Sequence, residues 1–466
     1  MDKNQSKQKP TSTLERSNHR AVRLMAASLC ILMFAVTAVV LGVLQPWKVD
    51  AATPPVEVNR VIRTVSELEN FRDAVNGGKD FAGQTVVLAN DLDLTGVAWN
   101  VGIGTGSGST SVNPFRGTFD GRGFVIKNLT GTIGLFYIID DATILNTHVE
   151  NATITSIFHA TNSFVGGITG VANGNTRISN VSFSGSLSSN NANRPRFSGI
   201  VGHGNGVLTI ENATADVNIS GSFISGGIIS TISAGVYNIT NVKVTGSIFA
   251  DISGDWVAGA GGVVGIVATG ETLTCSVHII NAFVSATISA TNNSAAHRTD
   301  AAGIIGLALR TSGGNVNTVR AYVTNCVVLS PSINATGTAL NRATGINATV
   351  GTGTSTITFT PSGTNHIDTQ TRTATVGGAA TGNNTSTARS QFWFEYKPNY
   401  EAMGWDLVNI WEMGSDNLPS LQRAYSGILL SGESELFDLD LNGFNISFDP
   451  NSIHTFGTSD LPSPPS

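Results

Sequence analysis

From residue 134 onward the apolar positions follow a recurring pattern. Seven times a Gly-Leu, Gly-Ile or Gly-Val step is followed by a β-branched run, with the steps at Gly134, Gly167, Gly199, Gly227, Gly262, Gly303 and Gly345. After each of the first six, ten to twenty residues on, comes an Ile/Val-x-Asn-like tripeptide ending in Asn146, Asn180, Asn212, Asn241, Asn281 or Asn325. Short Val/Ile/Thr-rich segments at a period of roughly thirty to forty residues, punctuated by Gly, Asn and Ser, predict a solenoid in which no repeat buries its own face. In such stacked coils each inward Ile or Val lies about 4.8 Å above its counterpart, so apolar rows form one continuous core. Glycine suits the corners. Asparagine tolerates left-handed turns, and its amide can bond along a ladder of equivalent residues.

Other periodicities flank this body. Ser66-Glu67-Leu68-Glu69 reads as a capping box, with Leu68, Phe71 and Val75 at helical spacing and Asn76-Gly77-Gly78 as a stop. One short amphipathic helix is predicted there, as a lid over the open end of the solenoid. Thr85 to Leu88 and Leu92 to Leu94 read as the first strands, and Gly102 to Thr110 as a flexible loop. The glycine alternation in that loop mimics a phosphate cradle, but no helix pattern follows to supply the N-terminus a cradle needs. Residues 350–390 are poor in large apolar side chains and read as thin coils or a linker. Near the C-terminus Phe437, Leu439, Leu441, Phe444, Ile446 and Phe448 alternate around Asn442-Gly443, which predicts a β-hairpin with one apolar face. The same stretch, Asp438-Leu-Asp440-Leu-Asn442-Gly443 with Asp449, has calcium-loop spacing, yet no helix pattern flanks it.

Charge is uneven in a way that concerns location. Residues 1–48 hold seven basic and two acidic residues, which leaves 19 basic and 30 acidic for the remainder. Leu24 to Leu44 is an apolar or small-residue run of 21, long enough to cross a bilayer as a helix. The basic residues ahead of it place the N-terminus in the cytoplasm and the repeats outside, in contact with the membrane through this segment. Val49-Asp50-Ala51 also resembles a signal-peptidase site, so the chain is expected to be either anchored by its N-terminal helix or secreted after cleavage near Ala51. An acidic exported body disfavours nucleic acid as a partner. Aligned on Asn281 and Asn325, Cys275 and Cys326 fall about seven strand positions apart, too far for a bridge.

Phe115-Arg116-Gly117-Thr118-Phe119-Asp120-Gly121-Arg122-Gly123-Phe124-Val125-Ile126-Lys127-Asn128-Leu129 resembles the entry motif of bacterial surface proteins with GLUG-type repeats, a unit also found in some IgA-protease precursors. Residues 68–79 and 89–94 are similar to that family's leader. Met403-Gly404-Trp405-Asp406, Trp411 and Asn417-Leu418-Pro419-Ser420-Leu421 resemble its closing segment. The likeness covers about residues 61–423. It departs from the family where the Gly-x-x-Gly unit ends instead in Tyr137, Ser230 or Ala348, and where Asn100-Val101 follows Trp99 in place of the usual Pro-containing step. The resemblance implies an all-β fold, a right-handed parallel β-helix solenoid on the outside of a bacterial cell, with attachment or adhesion as its role. The expected organisation is a cytoplasmic basic segment (1–23), a signal or transmembrane helix (24–44), a linker (45–60), a cap and first coils (61–114), repeats (115–390), a closing segment (391–425), and a C-terminal hairpin and tail (426–466).

Candidate chemistry is thin. The acids of the repeats, Glu211, Asp216, Asp251, Asp255, Glu271 and Asp300, read as scattered, as do His148, His159, His203, His278, His297 and His366. There is no His-Glu-x-x-His or Gly-x-Ser-x-Gly motif, and Cys275-x-x-His278 lacks a second ligand pair. The sequence therefore predicts no enzyme, no catalytic, cofactor-binding or metal residues, and a scaffold for an unknown glycan or protein ligand. A β-helix enzyme cleaving polysaccharide, as lyase or hydrolase, is the competing expectation.

Overall fold

In each successive turn of the chain the strands pair in parallel with those of the turn before, building the all-β parallel β-helix that the Gly and Asn periodicity predicts. The computed structural model describes residues 58–422, apart from 158–162, 190–194, 253–256, 270–273, 295–296, 311–317, 339–340, 350–355, 363–364, 369–371 and 376–386, together with 439–441 and 444–446. Val58–Ser466 forms one compact unit. The long strands Thr169–Ser188, Val201–Ser222 and Ile229–Ile252 stack residue on residue, and a separate six-stranded parallel sheet runs from Phe164–Gly166 to Asn341–Thr344. Right-handed coiling is what parallel crossovers require.

The core is set by the residue after each repeat glycine. Ile168, Ile200, Ile228, Val263, Ile304 and Ile346 are all buried in one continuous cluster. The glycines themselves face the same crowded interior. A Cβ at Gly262 would meet Val284 Cγ1 at 2.7 Å, and one at Gly303 would meet Val328 Cγ1 at 2.6 Å. The second glycine of the unit faces backbone: a Cβ at Gly202 would lie 2.7 Å from Val165 N, and one at Gly306 would lie 2.5 Å from the Ala260 carbonyl carbon. Where the unit ends in Ser230, the hydroxyl donates to Gly202 O of the preceding coil, so the departure keeps the coils joined.

The six repeat asparagines all adopt the left-handed conformation, with φ between 47° and 56°. Their amides form a directional ladder. Asn180 Nδ2 donates to Asn146 Oδ1 (2.6 Å), Asn281 to Asn241 (3.1 Å) and Asn241 to Asn212 (3.1 Å). These amides donate toward the N-terminus, so the first position must accept; Asp120 stands there and receives Asn146 Nδ2 at 2.9 Å, while the last asparagine, Asn325, donates instead to Met403 O of the closing segment at 2.6 Å. A shorter ladder, Asn151 to Asn128, likewise ends on Asp93. Two requirements thus meet at each asparagine. Asn180→Ala should cost about 2 kcal/mol by urea denaturation, and Asn180→Gly about 1 kcal/mol less, because glycine keeps the positive φ and loses only the ladder bond. Equal costs would mean that the turn conformation contributes nothing.

The N-terminal helix and the C-terminal segment cover different parts of the stack. The helix Val65–Asn76 buries Leu68, Phe71 and Val75, and Phe71 packs on Phe81, Phe115 and Phe119 at 5.1 to 5.9 Å. Its capping box is Thr64 with Glu67, two residues earlier than the expected Ser66 with Glu69. Glu67 is favoured because its carboxylate also accepts the Arg63 amide, at 2.6 Å. The expected loop Gly102–Thr110 instead contains most of an antiparallel hairpin, Thr105–Ser107 with Thr110–Asn113. Asn173 Nδ2 holds its tip by Ser109 O at 2.9 Å. The closing segment packs Trp405, Trp411, Tyr400 and Phe394 against Phe283 and Val327. Trp411 Nε1 reaches Asn241 Oδ1 at 3.4 Å, so this segment is fastened to the asparagine corner.

Strands within 356–375 extend the stack, which gives coils in the stretch expected to be thin. In the C-terminal hairpin Leu439 pairs with Ile446 and Leu441 with Phe444, the predicted register. The basic and apolar N-terminal segments with Ala51, as well as Phe437, Asp438, Asn442, Gly443, Phe448 and Asp449, lie outside the described residues. Among the described residues no helix is long and apolar enough to cross a membrane.

Candidate functional site

Three residues ahead of each repeat glycine from Gly167 to Gly345 stands the first or second position of a short strand. Register places these positions one above another as the row Phe164, Arg196, Ile224, Gly259, Asp300, Arg342. Four residues after each glycine a second row forms, Val171, His203, Thr231, Ile266, Leu307. The rows meet. Phe164 and Val171 join Ile138 in an apolar cluster distinct from the main core, and Phe164 stacks on His203 with centroids 4.3 Å apart. A seam runs along the coils, and two polar groups interrupt it.

The first is centred on Arg196. Its guanidinium carbon lies 5.0 Å from the ring of Phe164 and 5.0 Å from that of Phe223, so the cation packs against two π-systems. Arg196 Nε is buried without a hydrogen bond, and burial pushes the group down to about 10. His203 is 5% exposed, with Nε2 held by Ser233 Oγ at 2.7 Å and Nδ1 unpaired. Burial, reinforced by the Arg196 charge, pushes the imidazole down to about 3, so it is neutral at physiological pH.

The second group sits three coils on. Asp300 is fully buried, and Arg298 Nε approaches its Oδ2 at 2.9 Å, in a geometry that leaves both oxygens without a proper hydrogen bond. Arg342 stands beside Asp300 in the next strand. Burial pushes the Asp300 carboxyl up to about 6, against the opposing pull of Arg298 and Arg342. A carboxyl raised in the folded state stabilises below its unfolded value near 4, and that contribution is lost as pH rises through 6. Relative to Asp300→Asn, the native protein should therefore lose about 3 kcal/mol between pH 4 and pH 7, read from urea midpoints across that range. A flat difference would show that Asp300 ionises as freely as in the unfolded chain.

The remaining sequence candidates are dispersed. Glu211 pairs with Arg177, Asp216 accepts Thr245 Oγ1 at 2.7 Å, and Asp251 is exposed. His148 contacts Ser182 Oγ, His278 stacks on Tyr322 at 4.5 Å, and His366 lies 4.0 Å from the Trp393 ring. Asp255, Glu271 and His159 lie outside the described residues. Cys275 and Cys326 are buried and unbridged, and burial pushes both thiols up to about 12, which leaves them unreactive. Among the described residues no three His, Cys, Asp or Glu side chains gather as metal ligands. Asp300 and His203, read from sequence as isolated, are thus in fact members of adjoining rows.

No protein-family model matches the chain, and no curated protein matches it. Among solved structures, a protein from Bacteroides ovatus provisionally designated an immunoglobulin A1 protease is similar, at 17% identity and a TM-score of 0.44, over 78% of this chain and 92% of that one. A structure named IgA1 protease is similar at 15% identity and a TM-score of 0.33, over 73% of this chain and 24% of that one. The expectation that the chain is not an enzyme is corrected by these names. Both similar structures carry a protease designation, and the missing motifs exclude particular reactions only. At these identities no activity passes from them to this chain.

Proposed function

We propose that this chain is an extracytoplasmic β-helix of a bacterial cell surface, of the GLUG-repeat type, that presents an extended interaction face to a glycan or protein ligand. The supporting observation is the register of polar side chains outside the core. Thr209 and Asn238 are Cα partners on successive coils, Thr245 Oγ1 donates to Asp216 Oδ1, and Ser247 Oγ donates to Asn218 Oδ1 at 3.0 Å. Rows of hydroxyls and amides repeating at about 4.8 Å can make many weak, equally spaced bonds to a linear ligand. The basic N-terminus, the apolar run and the acidic remainder support export.

Two experiments test the reading. Protease added to intact protoplasts producing the full chain should degrade the repeats; digestion confined to lysed cells would remove the surface assignment. The same cells should adhere to members of a panel of neutral and acidic polysaccharides or host-surface proteins more than cells lacking the chain do. Equal adherence throughout would remove the scaffold role, and new reducing or unsaturated ends in the panel would replace it with polysaccharide cleavage.

A further inference from the structure

We propose that the closing segment is a strap that opens as a unit from the side of the β-helix, and that the asparagine ladder takes part in its opening. Register places Ser182, Thr214, Lys243, Phe283, Val327 and His366 one above another. Their chain neighbours, such as Val242 and Val244 or Ala282 and Val284, belong to the main core. The row itself stands outside it. Polar over three coils, the row turns apolar at Phe283 and Val327, and these two join the separate cluster that the closing segment forms. Both are fully buried, and the ring of Tyr400 meets that of Phe283 edge-on at 6.5 Å. The strap supplies their cover.

Its attachment differs from the joints between coils. Among the described residues, the backbone hydrogen bonds of 391–422 close within the segment or on Ser390 beside it, as in Trp405 N to Tyr400 O (3.0 Å) and Gln422 N to Ile410 O (2.9 Å). Side chains make the fastening. Trp405 Nε1 donates to Asn325 O at 3.1 Å, Trp411 Nε1 to Asn241 Oδ1 at 3.4 Å, and Asn325 Nδ2 to Met403 O at 2.6 Å. A body held by side chains over one apolar patch opens more readily than strands joined by continuous backbone ladders.

The Met403 bond interrupts the ladder. Asn325 lies in register with Asn281, between the pairs Ile280–Thr324 and Phe283–Val327. One rung earlier the later asparagine donates to the one before it, Asn281 to Asn241. Asn325 turns to Met403 O instead, and Asn281 Oδ1 is left buried without a partner. A buried carbonyl oxygen that receives no donor is costly, and the aromatic burial under the closed strap offsets that cost. On opening, the Asn325 amide is released to Asn281 Oδ1, and the Met403 carbonyl passes to water. The closed strap is thus opposed by one identifiable atom.

The test is native-state hydrogen exchange of the full chain in mild detergent. The reporters are the amides of Trp405 and Trp411 in the strap and those of Ile144 and Ile178 in earlier coils. Strap amides should exchange through an opening that the coil amides do not share. Trp405→Phe, which removes the indole donor to Asn325 O, should lower strap protection several-fold and leave coil protection unchanged. Asn281→Gly keeps the positive φ of 56° and removes the orphaned acceptor, so strap protection should rise about tenfold, the scale of one buried bond left unmade. Asn325→Gly, which leaves Met403 O bare under the strap, should lower it. Strap and coil amides exchanging together, in the native chain and in Trp405→Phe, would overturn the strap. Strap protection that falls in Asn281→Gly would overturn the part given to the ladder. Should Asn281→Gly fail to fold, unchanged or raised strap protection in Asn325→Gly overturns that part in its place.

Discussion

Ile304→Asp should destabilise the protein by about 4 kcal/mol or more, enough to remove most of the stability of an ordinary domain. Ile304 has no solvent exposure, and it stands in the row of Ile168, Ile200, Ile228, Val263 and Ile346. Its backbone is bonded on both sides, donating to Ile346 O at 2.8 Å and accepting from Val263 N at 3.0 Å, so the strand cannot rotate the carboxylate outward without breaking two coils apart. Ile304→Val, which removes one methyl group, should cost about 1 kcal/mol. Urea denaturation followed by circular dichroism measures both. Were Ile304→Asp as stable as the native chain, the inward register would be wrong along the whole row.

Gly262→Val should cost about 3 kcal/mol or more, although it adds apolar surface to an apolar place. The new Cβ would meet the Gly303 carbonyl and Val284 Cγ1, the latter at 2.7 Å, and both neighbours are fixed by their own coils. The glycine is required because the chain turns its corner in contact with the opposite wall of the helix, and φ has no part in the argument. Thermal and urea midpoints of Gly262→Val and Gly303→Val should fall together, since Gly303 meets Val328 Cγ1 in the same way one coil on. A drop at one site without the other would mean that the coils are not equivalent.

Much of this architecture was legible because inward positions, corner glycines and left-handed asparagines each demand a particular residue type. The capping box was misplaced by two residues because Thr64-x-x-Glu67 and Ser66-x-x-Glu69 fit the same local pattern and bury the same Leu68, Phe71 and Val75. The hairpin at Thr105–Asn113 was hidden by its glycines, which report close approach to Ile138 and not strand propensity. The seam was missed for a different reason. Arg196, Asp300 and Arg342 are far apart and irregularly spaced in sequence, and what aligns them is their common offset of three residues before Gly199, Gly303 and Gly345. Counting from the glycines would have found that row, and counting four residues forward would have found His203. Burial of the pair could not be counted in this way, because it depends on Phe164 and Phe223 arriving from neighbouring coils.

The parallel stacking of coils in one register carries every other statement, and a cross-linking measurement tests it directly. Thr209 and Asn238 are Cα partners on successive coils, 29 residues apart in sequence. Adjacent parallel strands lie about 4.8 Å apart, within the Cα separation a disulfide spans. Thr209→Cys with Asn238→Cys should oxidise to an intramolecular bridge without loss of fold, whereas Thr209→Cys with Ile239→Cys, whose second thiol faces the core, should not. A bridge in the slipped pair, or none in the registered pair, would contradict the stacked parallel β-helix.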